Sequence, residues 1–241
     1  MRPTTLRTLA ALLLAAAGAA PLDAQVGHLP GASPYREIAK GHTFTPFAGK
    51  MFGAGGRFGI GPHQGMSYGF LYDVRISNPL SFSVAGSYAD TERLIVNPFV
   101  RVADRVSGPV DQSLLTAEVG LQFTLTGQKS WNRLAPHLGF GLGLARAGET
   151  AADTSGFEFG ASKIFFNPRV GVRAFLAPNV HLRTEMAFPL WKLDYPTSFQ
   201  QEPVDEPGTD DEPNAVITDG RTGSWTVTPW LRVGLGYTFT F

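Results

Sequence analysis

Apolar and polar side chains alternate with period two along most of the chain from Thr43 onward, as in extended strands that turn one face to an apolar medium and the other to a polar one. The last stretch is the most regular. Trp225, Val227, Pro229, Leu231, Val233, Leu235, Tyr237, Phe239 and Phe241 share one face, and Thr226, Thr228, Trp230, Arg232, Gly234, Gly236, Thr238 and Thr240 the other. Chain ends usually fray, so bulky aromatics at the final positions call for an apolar medium that holds them down. Pro229 has no N–H for a ladder, which predicts that the regular strand begins near Trp230.

Seven earlier runs repeat the pattern: Thr43 to Phe52, Met66 to Ile76, Leu80 to Tyr88, Ser113 to Thr126, Pro136 to Arg146, Phe166 to Leu176 and Val180 to Leu190. Pro46 and Gly49 leave the phase of the first run open. In the fifth, Leu138, Phe140, Leu142 and Leu144 oppose His137, Gly139, Gly141 and Gly143, and such small or polar positions suit a narrow, crowded barrel interior. The connections alternate in length. Those near residues 77, 127 and 177 are brief, whereas those near 53, 90, 148 and 194 are long. Leu94-Ile95-Val96 in the second long connection is an apolar patch that would extend its flanking strands beyond a membrane. Short turns at one end and long loops at the other are the pattern of an outer-membrane barrel. The predicted fold is all-β, a closed antiparallel transmembrane barrel of about eight strands in up-and-down order.

Composition narrows the choice without making it. The chain has 241 residues, 43% hydrophobic and only 17% charged, with 28 Gly and 18 Phe, a mix that favours a β protein with few charged surfaces. Arg2 and Arg7, the apolar run Leu9 to Ala20 and the small residues before Gln25 read as a secretory signal peptide cut after Ala24. Its removal takes the 20 basic and 20 acidic residues to 18 and 19, too balanced for nucleic-acid binding. With no Cys there is no disulfide or thiolate site. The expected organisation is residues 1–24 signal peptide, 25–42 a periplasmic lead-in and 43–241 the barrel.

Charges fall on the faces opposite the apolar ones: Asp73, Arg75, Glu118, Arg169, Arg173, Arg183, Glu185 and Arg232. They would face water around a soluble core, or pair inside a lumen if the apolar face meets lipid; alternation alone fits both. Trp191 and Trp225 are expected near the outer strand ends and Tyr237, Phe239 and Phe241 at the inner interface, as two aromatic girdles require.

The signal-like start, the strand count, the short inner turns and the ending LRVGLGYTFTF resemble the small eight-stranded bacterial outer-membrane barrels, the group of the outer membrane protein A membrane domain and outer membrane protein W. That resemblance implies outer-membrane localisation and contact with lipid and lipopolysaccharide. It also implies an assembly signal at Val233, Leu235, Tyr237, Phe239 and Phe241, read by the barrel assembly machinery. It says little of function.

No P-loop, dinucleotide fingerprint or metalloprotease helix occurs, and the five His (28, 42, 63, 137, 181) show no zinc-ligand spacing. No catalytic, cofactor-binding or metal residue is assigned and no cofactor is expected. His137 and His181 read as members of a lumen hydrogen-bond network. His63 and Ser67 are the one imaginable nucleophile and base of a lipid A-modifying enzyme, without supporting context. The acids of Asp194 to Gly223 read as a solvated loop rather than a cation site, because their spacing matches no calcium loop. The expected role is non-enzymatic, a structural or surface-interacting barrel without a wide pore. The alternative is a narrow channel for small or hydrophobic solutes.

Overall fold

The alternating runs become strands, several longer than the pattern marks. The computed structural model describes residues 33–149, 153, 155–160 and 162–240; the signal-peptide region and Phe241 lie outside them. From Pro34 on, twelve strands form: β1 (Tyr35–Glu37), β2 (His42–Met51), β3 (His63–Arg75), β4 (Leu80–Val96), β5 (Val106–Thr124), β6 (Lys129–Trp131), β7 (Leu134–Ala147), β8 (Lys163–Ala177), β9 (Val180–Ala187), β10 (Leu190–Asp194), β11 (Gly223–Val227) and β12 (Trp230–Phe239). Strand β10 continues the line of β9 past Pro189, and β11 leads into β12 across Pro229. With the short β1 and β6 pair set aside, the other ten strands make eight staves.

Every pairing is antiparallel. The order β7-β5-β4-β3-β2-β12-β9-β8 closes through a β7–β8 ladder, so no stave is left as a free edge. Cross-strand partners followed from His42 run through Val74, Phe82, Leu121, Phe140, Pro168, Phe188 and Pro229. They return to the first stave at Phe52, ten residues above the start. A stagger of that kind accompanies tilted strands and an interior just wide enough for side chains.

The predicted loop around Leu94 is strand for much of its length. Strands β4 and β5 run on together to the pair Val96↔Val106, past the last β7 partner at Ala147, as the apolar patch there suggested. Within the predicted lead-in, Tyr35–Glu37 pairs with Lys129–Trp131, and Ile38 packs against Ala135 and Phe175 at the short-turn end of the barrel.

At the opposite end the long loops are packed, not merely solvated. Phe157, Phe159, Tyr195, Phe199 and Ile217 join Met51, Trp191 and Trp230 in one buried apolar cluster. Tyr195 N–H donates to Thr222 O and Ile217 N–H to Phe199 O. The loop expected as solvated keeps its acids Asp194, Asp205, Glu206, Asp210, Asp211, Glu212 and Asp219 exposed, while Tyr195, Phe199 and Ile217 between them are buried. Its flanks fold inward through these apolar side chains, whose burial removes them from water while the neighbouring acids stay hydrated.

Candidate functional site: the occluded lumen

Parity decides which side chains enter the barrel. On β7, His137 is fully buried while its neighbour Leu138 is 48% exposed, and Leu134 to Leu144 keep an outward apolar face, about the 9–11 residues a tilted strand needs to cross a bilayer. The same outward belt continues with Val119, Leu121 and Phe123 on β5, Val170 on β8, and Val233, Leu235 and Tyr237 on β12, all exposed. Meanwhile Asp73, Glu118, Arg169, Arg173, Arg183, Glu185 and Arg232 are each no more than 4% exposed. Charges buried inside and aliphatics bare outside invert the order of a water-soluble protein, and a continuous apolar belt needs lipid around it. This is the architecture of the small eight-stranded outer-membrane barrels.

Of the eight charged residues expected in the lumen, the structure joins six into one network. Arg183 Nη1 donates to Asp73 Oδ2 at 2.7 Å, and its Nη2 to Gln122 Oε1 and Glu185 Oε2, each at 2.6 Å. Arg169 donates to Glu118 Oε1 and Ser83 Oγ, each at 2.5 Å, and Asn167 Nδ2 to Glu118 Oε2 at 2.7 Å. Glu185 is the junction. It lies 3.2 Å from His137 Nε2, 3.6 Å from Arg232 Nη1 and 3.9 Å from Arg169 Nε. Arg232 also sits over the rings of Phe47 and Trp230, at 5.2 and 4.7 Å from their centroids, a favourable place for a cation. Arg173 stands apart on Thr124 Oγ1 at 2.9 Å. Arg75, at the end of β3, is only half-buried.

The glycines of β7 give these side chains their room. A Cβ built at Gly141 would come 1.9 Å from Glu118 Oε1, at Gly139 2.4 Å from Arg169 Nε, and at Gly143 2.4 Å from the Phe165 ring. Small residues on one stave thus accept large ones from the facing staves, as a narrow barrel requires.

The lumen is filled at three levels: the apolar plug under the long loops, the ion-pair network, and the Ile38, Ala135 and Phe175 floor. The loops are also tied to one another. Arg57 Nη1 donates to both oxygens of Asp219 at 2.9 Å, Arg105 Nη2 to Asn214 O at 2.6 Å, and Val102 N–H to Glu206 Oε2 at 2.9 Å. Arg93 and Asp153 form a nearly buried ion pair, with Ser155 also donating to Asp153 from its N–H at 2.8 Å. Burial alone would raise the Asp153 pKa, but Ser155 and Arg93 together hold it below its ordinary value. Asp219, in open solvent, is likewise lowered by the Arg57 bond.

Two expectations meet a different placement. Trp191 is fully buried in the plug and serves no outer girdle; it lies an odd step from the outward residues Phe188 and Leu190, so its parity points it inward. Trp225 is 62% exposed and faces outward as expected. His63 and Ser67 both face inward and are buried, His63 Nδ1 resting 2.9 Å from Gly61 O, which turns the imagined pair away from lipid. Of the assembly residues, Val233, Leu235 and Tyr237 face outward, and Phe239 is half-buried against Tyr237 and His42. The plug was missed by sequence reasoning; the spacing of Phe157 and Phe159 around Glu158 was its one visible trace.

No protein-family model matches the chain, and no curated protein does. Among solved structures it is similar to Neisserial surface protein A, at 17% identity over 86% of this chain and 98% of that one, with a TM-score of 0.47. It is also similar to the outer membrane protein OprG of Pseudomonas aeruginosa (12% identity, 85% and 99% covered, TM-score 0.48) and to Ail of Yersinia pestis (18%, 83% and 100%, 0.34).

Proposed function

We propose that this chain is an outer-membrane protein of structural and surface-interacting role, non-enzymatic and without a conducting pore. The observation that carries this reading is the occlusion of the lumen by the plug, the ion-pair network and the floor. An ion crossing it would have to displace buried guanidinium–carboxylate pairs, whose disruption is expensive in a low-dielectric interior. The outward belt then serves as the contact with membrane lipid and lipopolysaccharide. The outward residues Val233, Leu235 and Tyr237, with Phe239 and Phe241, serve as the signal to the barrel assembly machinery during biogenesis, after export by a cleaved signal peptide. The long loops, tied together above the membrane, present the surface for partners.

Planar-bilayer recording of the refolded protein tests the reading. The expected result is a silent bilayer in salt at about 100 mV, with the protein recovered in outer-membrane fractions and shifting in gel mobility on heating. Reproducible single-channel steps from the wild-type chain would replace it with the narrow-channel alternative.

A further inference from the structure

The two ends of the barrel differ in charge. Among the described residues the short-turn end, made of residues 33–41, 75–80, 125–133 and 176–179, carries Arg36, Lys40, Arg75, Lys129 and Arg133 against a single acid, Glu37. Arg75 is half-buried and the other four cations are exposed. Glu37 pairs with Lys129 at 3.7 Å. The long-loop end is instead rich in exposed acids, Asp205, Asp210 and Asp211 among them.

A row of side chains sets the height of this charge. Tyr35 is the cross-strand partner of Trp131, and Trp131 of Leu134, so the three stand side by side. They are 49%, 44% and 38% exposed, and Leu134 begins the outward apolar face of β7. An exposed tyrosine and tryptophan at the lower edge of a lipid-facing wall suit the headgroup level of a bilayer, where each ring has an apolar body in hydrocarbon and a polar tip in water. The two-residue turn Asn132-Arg133 joins Trp131 to Leu134, and both its residues have left-handed backbone, φ 48 and 68. In such a turn the second place ordinarily falls to Gly. Here a residue that strains the backbone carries a guanidinium to the foot of the aromatic row.

We propose that this end binds the headgroups of anionic phospholipids in the inner leaflet, of the phosphatidylglycerol class. Arg133 meets the phosphate beside Tyr35 and Trp131, and Arg36 and Lys40 add charge from the neighbouring lead-in. The proposal rests on the reading of the short turns as the periplasmic side. Zwitterionic lipids carry the same phosphate together with a cation that answers it, so an excess of basic side chains selects the lipid of net negative charge. An acidic protein or wall polymer of the periplasm would satisfy the charge, but would have no use for an aromatic row continuous with the lipid wall.

Electron spin resonance of spin-labelled phosphatidylglycerol and phosphatidylcholine, in vesicles holding the refolded protein, reads the selectivity. Wild type should prefer phosphatidylglycerol, each cation removed should lower the preference by up to about fivefold, and 1 M salt, with a screening length of about 3 Å, should largely erase it. Arg133→Gly removes the charge while giving the turn its ordinary residue, so the preference should fall with the urea midpoint held or raised, and Arg133→Lys should keep the preference. Arg146→Gln, exposed at the opposite end, should leave it unchanged. Equal association of the two lipids refutes the site, as does a preference that survives Arg36→Gln, Lys40→Gln and Arg133→Gly combined, or one that Arg146→Gln lowers as much. Retention on peptidoglycan sacculi, abolished by the same three substitutions and without lipid preference, would assign the surface to the wall instead. Protein in these vesicles that does not shift on heating would overturn the barrel reading itself, a result distinct from a heat-shifting barrel without lipid preference.

Discussion

Replacing Glu185 by Gln tests whether the lumen is the dry, low-dielectric interior on which the occlusion argument rests. The carboxylate has three guanidinium groups within 4 Å, those of Arg183, Arg232 and Arg169. At an effective dielectric constant of about 20, each such contact is worth about 4 kcal/mol in attraction, a gross sum on the order of 12 kcal/mol. Repulsion among the three cations and the desolvation of every ion, several kcal/mol each, offset most of it. What remains is the cost of leaving buried cations without their shared partner, about 3–5 kcal/mol. Glu185→Gln keeps the shape and removes only the charge, so packing loss does not confuse the result. The assay is urea unfolding in lipid vesicles, followed by the heat-sensitive gel shift, with Arg183→Met and the double variant completing a cycle. The single variants should each lose stability, and the double should lose clearly less than their sum, because removal of Arg183 leaves one cation fewer to compensate. In a water-filled lumen the same contacts would be worth only what surface pairs are, about 0–1 kcal/mol. A loss below about 1 kcal/mol, with no coupling in the cycle, would therefore refute the dry lumen and reopen the channel reading.

Four further outcomes are expected. Gly141→Val forces a side chain into the space of Glu118 Oε1, and should cost at least the ~1–3 kcal/mol of overpacking, read as a lower urea midpoint; Gly127→Ala, with nothing within 4 Å but a left-handed backbone at φ 68, should cost less. Phe199→Ala removes a fully buried ring from the plug and should cost about 3–5 kcal/mol or open residues 195–222 to limited proteolysis, whereas Val204→Ala, at a 90% exposed position, should do neither. Asp153 has a folded-state pKa below its ordinary value, so its contribution is present above the unfolded pKa near 3.8 and is lost as pH falls through the lower, folded value; the protection of amides around Arg93 and Asp153, taken relative to the intrinsic exchange rate at each pH, should fall between about pH 6 and about pH 3, and Asp153→Asn should flatten that difference. Deletion of Phe241 should impair membrane assembly in cells more than Trp225→Ala, measured as heat-shifting protein in outer-membrane fractions; equal recovery of the two would discard the assembly role of the terminal residue.

Period-two alternation was enough to find all eight staves, because lipid on one side and a packed lumen on the other impose the same parity on every strand. It also put His137, Arg169, Arg183, Glu185 and Arg232 on the faces opposite the apolar ones, the faces that the structure turns inward, without any knowledge of their partners. The partners themselves were not legible. Arg183 and Asp73 are 110 positions apart, and their meeting depends on the stagger of the barrel, which parity does not encode. Pattern reading also failed where burial stopped being one-sided. Above the lipid level the loop aromatics Phe157, Phe159, Phe199 and Tyr195 pack as a soluble core would, and a core assembled from irregular backbone leaves no period to detect. The same change of regime misled the reading of Trp191: a tryptophan near the outer end of a strand belongs to a lipid girdle only if its parity faces outward.

The two prolines in the closing staves mark where that regime changes. Pro189 and Pro229 interrupt β9–β10 and β11–β12 side by side, and each gap is bridged by carbonyls: Thr228 N–H donates to Pro189 O at 3.0 Å and Phe52 N–H to Pro229 O at 2.8 Å. A proline costs a ladder bond inside a sheet, but here both fall at the same level, so the missing donors cluster in one seam and do not weaken the wall at two heights. Below the seam, Arg232 and Glu185 face the ion-pair network; beside and above it, Trp230 and Trp191 face the apolar plug, both fully buried. The interruption lets the upper hairpin Leu190–Asp194 and Gly223–Val227 carry the longest loop back over the mouth. Closure of the outer end is thus written into the staves themselves as well as into the loop, which is why substitutions in the plug should perturb stability before they open any path through the barrel.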